Sequence, residues 1–484
     1  MIGAGKGTFV RVREGFFRGR GGARPGIFPF RDERTAVEAA EPMSAAVEKE
    51  KVRIKEACAL LREAERPVRI MRALLWAPSV RERFFEKKAR ELPQVTYPPF
   101  DPATTIEGVQ RVRKMATSSS SVDRWLRRVA GSIEAGARML ATLGSPEFFT
   151  HSVRVFGRPT DPLPDKTTTS LRLALKFNDI LDYLTAVAAP PGDDQMLKAE
   201  EVAEMMREAV KETFGERAPK VRVVKELGSK ALAGSERIRI RKGAKFTRKE
   251  AAQLIQHEAF IHIVTSLNGR TQPDLLILGA GHPGTTRTQE GLAVFAEFIT
   301  GAMDLHRLRR LADRVFAIQM AIDGADFLDI YRYFLGRTQD ENRSYESAWR
   351  VFRGAPLTGS YPLTKDIVYL DGLLRVHSFL RSAVSSARPD VIKLLFCGKL
   401  DLDDLPALST LARMGLLQSP QFVPPWAADP GYLLSYLAFS SFLNTVNLRT
   451  IAEKYAERLN HVPVVHFPDD GKLVNHPAVS ADGD

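Results

Sequence analysis

The sequence predicts a mostly helical α+β protein in which a small β-sheet leads into the helix carrying the chemistry. Three observations predict it. Most of the chain shows apolar residues at helical spacing, punctuated by Pro and Gly. The pattern changes once, at KVRVVKE (220–226) and SERIRIR (235–241), where polar and apolar residues alternate as in strands. Directly after them Thr247 and Glu250, three residues apart, form a capping-box pattern at the head of RKEAAQLIQHEAFIHIVTSLNG.

In chain order, residues 45–66 read as a charged amphipathic helix, followed by a Pro-containing apolar helix (RPVRIMRALLW) and by RERFFEKKAREL. Ser118–Ser121 with Asp123 mark a helix start before RWLRRVAGSIEAGARMLATL. Residues 143–165, with Gly157, Pro159, Pro162 and Pro164, read as a loop zone. Helix resumes over about 168–188, and Pro190-Pro191-Gly192 closes it. LGSKALAGS supplies glycine turns between the strands, and Gly269 is expected to end the helix after them. Everything beyond Gly284 reads as helices and loops. Four segments are expected: a disordered Gly/Arg-rich arm (1–42), an N-terminal helical region (43–165), a catalytic domain (166–460) and a disordered tail (461–484). Helical pattern opens just after Met43, which makes that residue a candidate translation start that an intact mass would decide.

Composition narrows the class. The chain has 484 residues, 44% hydrophobic and 26% charged, which excludes a fibrous or mostly disordered protein. No stretch reaches the roughly 18–20 apolar residues that cross a bilayer. Two distant cysteines, Cys58 and Cys397, give no disulfide framework, so a reducing, cytoplasmic setting is expected. The formal charge of +12 invites a nucleic-acid reading, but no recognition motif accompanies it. The basic stretch 66–90, eight Arg/Lys against two Glu, reads as a solvated face or a dock for an acidic partner. Nucleic acid is therefore not the expected partner.

The chemistry gathers at His257, Glu258 and His262. Hydrolytic zinc sites need nitrogen or oxygen ligands, an open coordination position and a carboxylate to handle the proton of water. The usual H-E-x-x-H spacing places two histidines four residues apart. Here the spacing is five, which in an α-helix rotates the second ring by about 140° from the first. A local π-type distortion between His257 and His262 would bring them together. Without one, the pair is a coincidence. Glu290, opening the next helix, is a candidate third ligand. Its alternative role is a helix-start acid favoured by the macrodipole. His282 is a rival ligand or a surface histidine.

The combination H-E-x-x-x-H, N-G-R-x-Q-P, P-G-x-x-x-x-Q-E-G-L-A and K-D-x-x-Y-L-x-G resembles the bacterial QEGLA-motif proteins, labelled flavohaemoglobin-expression-modulating. Their animal relatives are the microtubule-associated tyrosine carboxypeptidases. Matching residues are His257, Glu258, His262, Asn268, Gly269, Gln272, Pro273 and Glu290–Ala293, then Arg350, Arg353, Gly354, Lys365, Asp366, Tyr369, Leu370 and Gly372. The resemblance spans about residues 50–450, with RPVRIMRALLW, LPQVTYP and FGRPTDPLP in its N-terminal part.

It implies a zincin-like, mostly helical core and a zinc metallocarboxypeptidase acting on a peptide or protein C-terminus. Carried over, His257, His262 and Glu290 bind zinc, and Glu258 serves as general base and then acid. A terminal carboxylate calls for cations, with Lys365 and Arg350 foremost and Arg353 and Arg287 as further candidates. Tyr369 is placed to donate to the oxyanion or the carboxylate. One departure stands out: Phe260-Ile261 replace the Gly-Thr of the animal relatives, which is expected to reshape the pocket and removes the warrant for tubulin as substrate. The competing expectation is a catalytically silent zinc-binding regulatory protein, which would have no need of Glu258.

Overall fold

The computed structural model describes residues 45–187, 196–225, 227–234, 236–443, 446–459 and 461. The expected arm, the Pro190-Pro191-Gly192 break and nearly all of the expected tail lie outside these residues. The described residues from Lys49 onward form one compact unit. Ahead of it only Ala45–Glu48, the first turn of α1, are described.

The N-terminal elements are α1 (Ala45–Glu65), α2 (Ile70–Ala73), α3 (Pro78–Glu86), α4 (Ala103–Met115), α5 (Ser121–Ala141), α6 (Pro146–Phe156) and α7 (Ser170–Val187). The cap of α5 is as the sequence indicates: the Ser120 side chain accepts from the Asp123 amide at 3.1 Å. RPVRIMRALLW forms only the four-residue α2, because Pro78 forces Ala77 into an extended conformation and stops propagation. The expected loop at 143–165 contains α6. Pro146 starts that helix at a position where its missing N–H costs nothing, and Gly157 leaves it at φ +84°.

Next come β1 (Leu197–Lys198), α8 (Ala199–Phe214), β2 (Lys220–Val224), β3 (Ala231–Ala233), β4 (Arg237–Arg241) and β5 (Lys245–Phe246). The sheet order is β2-β4-β3, with β2 parallel and β3 antiparallel to β4. The segment read as glycine turns thus supplies the third strand. Alternation buries Ile238 and Ile240 on one face of β4. The Thr247–Glu250 capping box then starts α9 (Arg248–Leu254) at 3.0 and 3.2 Å. A π-helical stretch, Ile255–Ile263, interrupts the helix before α10 (Val264–Arg270).

The remainder is helical: α11 (Thr286–Ile299), α12 (Leu305–Ile322), α13 (Phe327–Thr338), α14 (Glu341–Phe352), α15 (Val368–Ser385), α16 (Asp390–Leu394), α17 (Leu405–Arg413), α18 (Pro425–Ala428), α19 (Pro430–Phe442) and α20 (Leu448–Leu459). The main core joins both halves of the chain: Ile54, Trp125 and Ile133 share it with Ile261, Phe295 and Leu380. A second, aromatic core packs Phe84 against Phe327, Tyr331 and Tyr345 with ring centroids 5.1–5.5 Å apart.

Several motif residues turn out to be architectural. Gly269 does not end its helix. It lies inside α10, and a Cβ there would overlap the carbonyl of Leu278. Asn268 clamps a distant loop, donating to the carbonyls of Phe396 and Phe422 at 2.7 Å each and accepting from the amides of Gln421 and Phe422. Gln272 does the same for Cys397 and Gln418. Gly291 of α11 faces Gly372 of α15, and a Cβ on either would overlap the backbone of the opposing helix.

Gly291→Ala is expected to destabilise the chain by about 1–3 kcal/mol, since neither backbone can yield without parting the helices. Gly336→Ala, inside α13 with nothing within 4 Å of the added methyl, is expected to be stabilising by about 0.5–1 kcal/mol. Thermal unfolding of the two variants, made alike but differing in sign, checks the close approach.

Candidate metal and active site

The π-helical turn solves the spacing problem. With i→i+5 bonding, His257 and His262 fall on one side of the helix, with ring centroids 4.9 Å apart. The helix packs against α11, which presents Glu290 opposite the rings. Glu290 Oε2 lies 3.3 Å from His257 Nε2 and 3.7 Å from His262 Nε2, without a hydrogen-bond partner among the described residues. One donor atom from each residue lies within 4.8 Å of the others, so these three could hold a metal ion. They are the three residues singled out from the sequence. His282, the rival ligand, lies elsewhere: its Nδ1 meets Ser132 Oγ at 2.8 Å.

Supporting groups fix each of the three. His257 Nδ1 bonds Glu297 Oε1 at 2.7 Å, and Glu297 in turn receives a bidentate fork from Arg307 at 2.8 and 2.9 Å. Such a carboxylate behind an imidazole sets its tautomer and aims its other nitrogen. Lys365 Nζ holds Glu290 Oε1 at 3.1 Å and leaves Oε2 facing the histidines. Glu258 sits beside the first histidine, 7% exposed, and its Oε2 accepts from the Ala233 amide of β3 at 2.6 Å.

The electrostatics divide the site into two sides. Burial opposes a charge on His257, but Glu290 and Glu297 outweigh it and raise the imidazole to about 10. Burial would likewise raise Glu290, yet Lys365 and the two histidines hold it well below the ordinary carboxylate range. The histidine side is thus rich in negative charge, for which a proton and a divalent cation would compete. The other side is cationic. The Tyr369 ring lies 4.7–5.9 Å from the charged groups of Arg307, Arg314, Arg350 and Lys365. Burial pushes the Tyr369 hydroxyl up, but Lys365 and Arg350 bring it below its usual value.

The four expected carboxylate-binding residues meet different fates. Lys365 is engaged by Glu290. Arg350 forks onto Asp366 at 2.6 and 2.9 Å and reaches Tyr369 Oη at 3.3 Å. Arg353 is 2% exposed, stacks on Trp349 at 4.8 Å, and has Nε and one Nη without a partner among the described residues. Burial, reinforced by Arg350, lowers it to about 10. Arg287 is drawn away, to Asp371 at 2.8 Å and the Phe156 carbonyl at 2.7 Å. Phe260 and Ile261, expected to reshape the pocket, are taken up by the main core at 6% and 0% exposure.

The sequence reading missed Glu297, Arg307 and Arg314. Glu297 carries a usable signal, since it stands seven residues after Glu290 and so on the same face of α11. Arg307 and Arg314 repeat that spacing on α12.

The profile of the family described as microtubule-associated tyrosine carboxypeptidase matches residues 82–445, well over half of the chain. The chain belongs to the microtubule-associated tyrosine carboxypeptidase family. The matched span holds every ligand candidate of this family member and its whole cationic wall. No curated protein matches the chain in sequence. Two solved structures are similar in part. One is the M32 carboxypeptidase from Deinococcus radiodurans R1, at 12% identity and TM-score 0.38, covering 82% of this chain and 99% of that one. The other is described as a lipoprotein from Colwellia psychrerythraea, at 12% identity and TM-score 0.37, covering 71% and 67%. Among the described residues of this family member no helix is long and apolar enough to cross a membrane.

Asp366 gives a pH test of the cationic wall. Burial would raise its carboxyl, but Arg350, Arg314 and Lys365 hold it far below the usual range. In the unfolded chain it protonates near pH 4, so its stabilising contribution is complete above about pH 4 and is lost as the pH falls further. Asp366→Asn is expected to flatten that acid-side slope. Asp366→Ala is expected to cost about 3–5 kcal/mol at neutral pH by leaving Arg350 and Arg314 buried without their counter-charge. Urea titrations across pH check both.

Proposed function

We propose that this protein is a zinc-dependent metallocarboxypeptidase that hydrolyses the C-terminal peptide bond of a peptide or protein. The reading is carried by the convergence of His257, His262 and Glu290 within 4.8 Å, with Glu258 beside the first ligand. Membership of a carboxypeptidase family supports it. The donor set suits zinc: two imidazole nitrogens and one carboxylate oxygen leave a fourth position open. The unpartnered Glu290 Oε2 and the Glu297–His257 bond are the features such a site requires.

Zinc held by these three residues supplies Lewis acidity, polarising the scissile carbonyl and acidifying water. The rest falls to the chain. Glu258 takes the proton of the attacking water and returns it to the departing amine. The Ala233 amide fixes its Oε2 and leaves Oε1 for that exchange. Tyr369, raised in acidity by its cationic surroundings, donates to the carbonyl oxygen as negative charge builds there. The substrate's terminal carboxylate is received on the cationic side, where Arg353 has free donors and Arg350 and Lys365 add field. A free C-terminus is thereby chosen over an internal bond. The short strand β3 runs beside Glu258, so the substrate backbone is expected to lie along it.

The competing reading, a silent zinc-binding regulator of the same fold, gives no role to Glu258 or to a buried guanidinium with spare donors. Metal analysis of purified protein should find one zinc per chain, lost in His262→Gln. Glu258→Gln should keep the zinc while hydrolysis of a C-terminal peptide library falls by about 10²–10⁴-fold. Absence of metal with both histidines intact, or full activity in Glu258→Gln, refutes the proposal.

Arg353→Ala should raise KM for peptides with a free C-terminus by about 10–100-fold, as expected for one lost charge-assisted contact. Steady-state kinetics on such peptides check it, and an unchanged KM would move the carboxylate contact to Lys365 or Arg350.

A further inference from the structure

A cavity of about 310 Å³ lies beside the start of α11, away from the metal ligands. It is walled by α5, α6, the turn 282–284, α15 and the segment 401–404, and none of His257, His262 and Glu290 lines it. Its volume falls at the lower end of ordinary ligand cavities, about 300–1,000 Å³. We propose that it binds a small hydroxylated organic anion, received by Arg154 on one side and His282 on the other.

Four guanidinium groups line the cavity, those of Arg128, Arg154, Arg287 and Arg375, against three carboxylates. Each carboxylate lies beside one of these groups, two of them sharing Arg375. Asp404 pairs with Arg128, while Asp401 and Asp403 lie 3.6 Å from Arg375. Arg287 is turned to Asp371 and the Phe156 carbonyl. Arg154 remains, exposed on α6 and making no hydrogen bond or ion pair with the described residues. Arg154 is therefore the one guanidinium of this wall without a carboxylate partner among the described residues, the other three being offset by Asp404, Asp371 and the Asp401–Asp403 pair. Arg154 is suited to a carboxylate or phosphate through its planar fork.

The second feature is His282, 6% exposed. Ser132 Oγ donates to the Val129 carbonyl at 2.9 Å, so its 2.8 Å contact with His282 assigns the proton to Nδ1. Nε2 is then a bare acceptor lining the cavity, with no partner among the described residues. Burial keeps the ring neutral, lowering it to about 4. Gly284 fits this corner because a Cβ would press on Ser132 and on the His282 ring at 2.9–3.2 Å. An accessible acceptor on a cavity wall with no protein donor takes its hydrogen bond from water or from a ligand's hydroxyl. A ligand with an anionic end for Arg154 and a hydroxyl for His282 Nε2 satisfies both.

The test is isothermal titration of the full chain, in chloride buffer, with glycerol 3-phosphate, L-lactate and inorganic phosphate. At least one hydroxylated anion should bind, more tightly than inorganic phosphate. Arg154→Glu, on an exposed face that tolerates the change, should weaken it about 10–100-fold. His282→Phe should abolish the preference over inorganic phosphate. His257→Gln should leave binding unchanged, which separates this cavity from the metal site. No binding of any probe, equal binding in Arg154→Glu, or loss of binding in His257→Gln would overturn the proposal.

Discussion

The backbone contact between α11 and α15 at Gly291 and Gly372 sets the geometry on which the site depends. Glu290 precedes one of these glycines, and Lys365 and Tyr369 precede the other by seven and three residues. A helix pair separated by ordinary side chains sits about 8–10 Å apart. Removing both Cβ atoms lets these two close further, and that brings Lys365 Nζ to 3.1 Å from Glu290. Arg287, one turn before Gly291, and Asp371, next to Gly372, lock the same pair of helices at 2.8 Å. A motif that looks like a ligand with neighbours is thus two devices in one: a carboxylate, and the glycine that decides how near its partners stand.

The buried charges around this crossing are ordered by sign. Glu290, Glu297 and Glu258 surround His257, whereas Arg314, Arg350, Arg353 and Lys365 gather towards Tyr369. Burying either group alone would be prohibitive, because the cost of removing a charge from water exceeds what distant partners return. The bridging pairs make it tolerable: Arg307 with Glu297, Lys365 with Glu290, and Arg350 with Asp366. What remains after pairing is a negative pole at the histidines and a positive one at Arg353. A field of that shape suits a cation on one side and an anion on the other. Peptide-bond hydrolysis at a free C-terminus presents that demand.

Legibility in the sequence followed chemistry and failed with distance. The convergence of His257, His262 and Glu290 is readable because few residue types can bind metal and their spacing is short. The five-residue interval even specified a π-helical turn, since no regular helix satisfies it. Glu297, Arg307 and Arg314 were not readable. An acid or an arginine is ordinary on a helix surface, and only the packing of α11 and α12 shows that these are buried. The helix at 146–156 is hidden by the prolines and glycine around it, which mark its two ends yet in sequence look like a single loop. Asn268 and Gln272 were recognised as motif residues, yet their role as clamps on residues 396–422 depends on contacts more than 120 positions away.

The least legible contact is the one between β3 and Glu258. It is made by the backbone amide of Ala233, so the side chain there carries no signal and almost any residue other than proline would serve. Its position follows from the sheet instead. β2 and β4 pair in parallel, which needs a connection long enough to return the chain to the same end. The residues of that connection are what place β3 on the far side of β4, against the π-helical turn. The alternating strands, visible in the sequence only as a change of pattern, therefore position the group that holds one oxygen of Glu258 and leaves the other for the proton exchange proposed above.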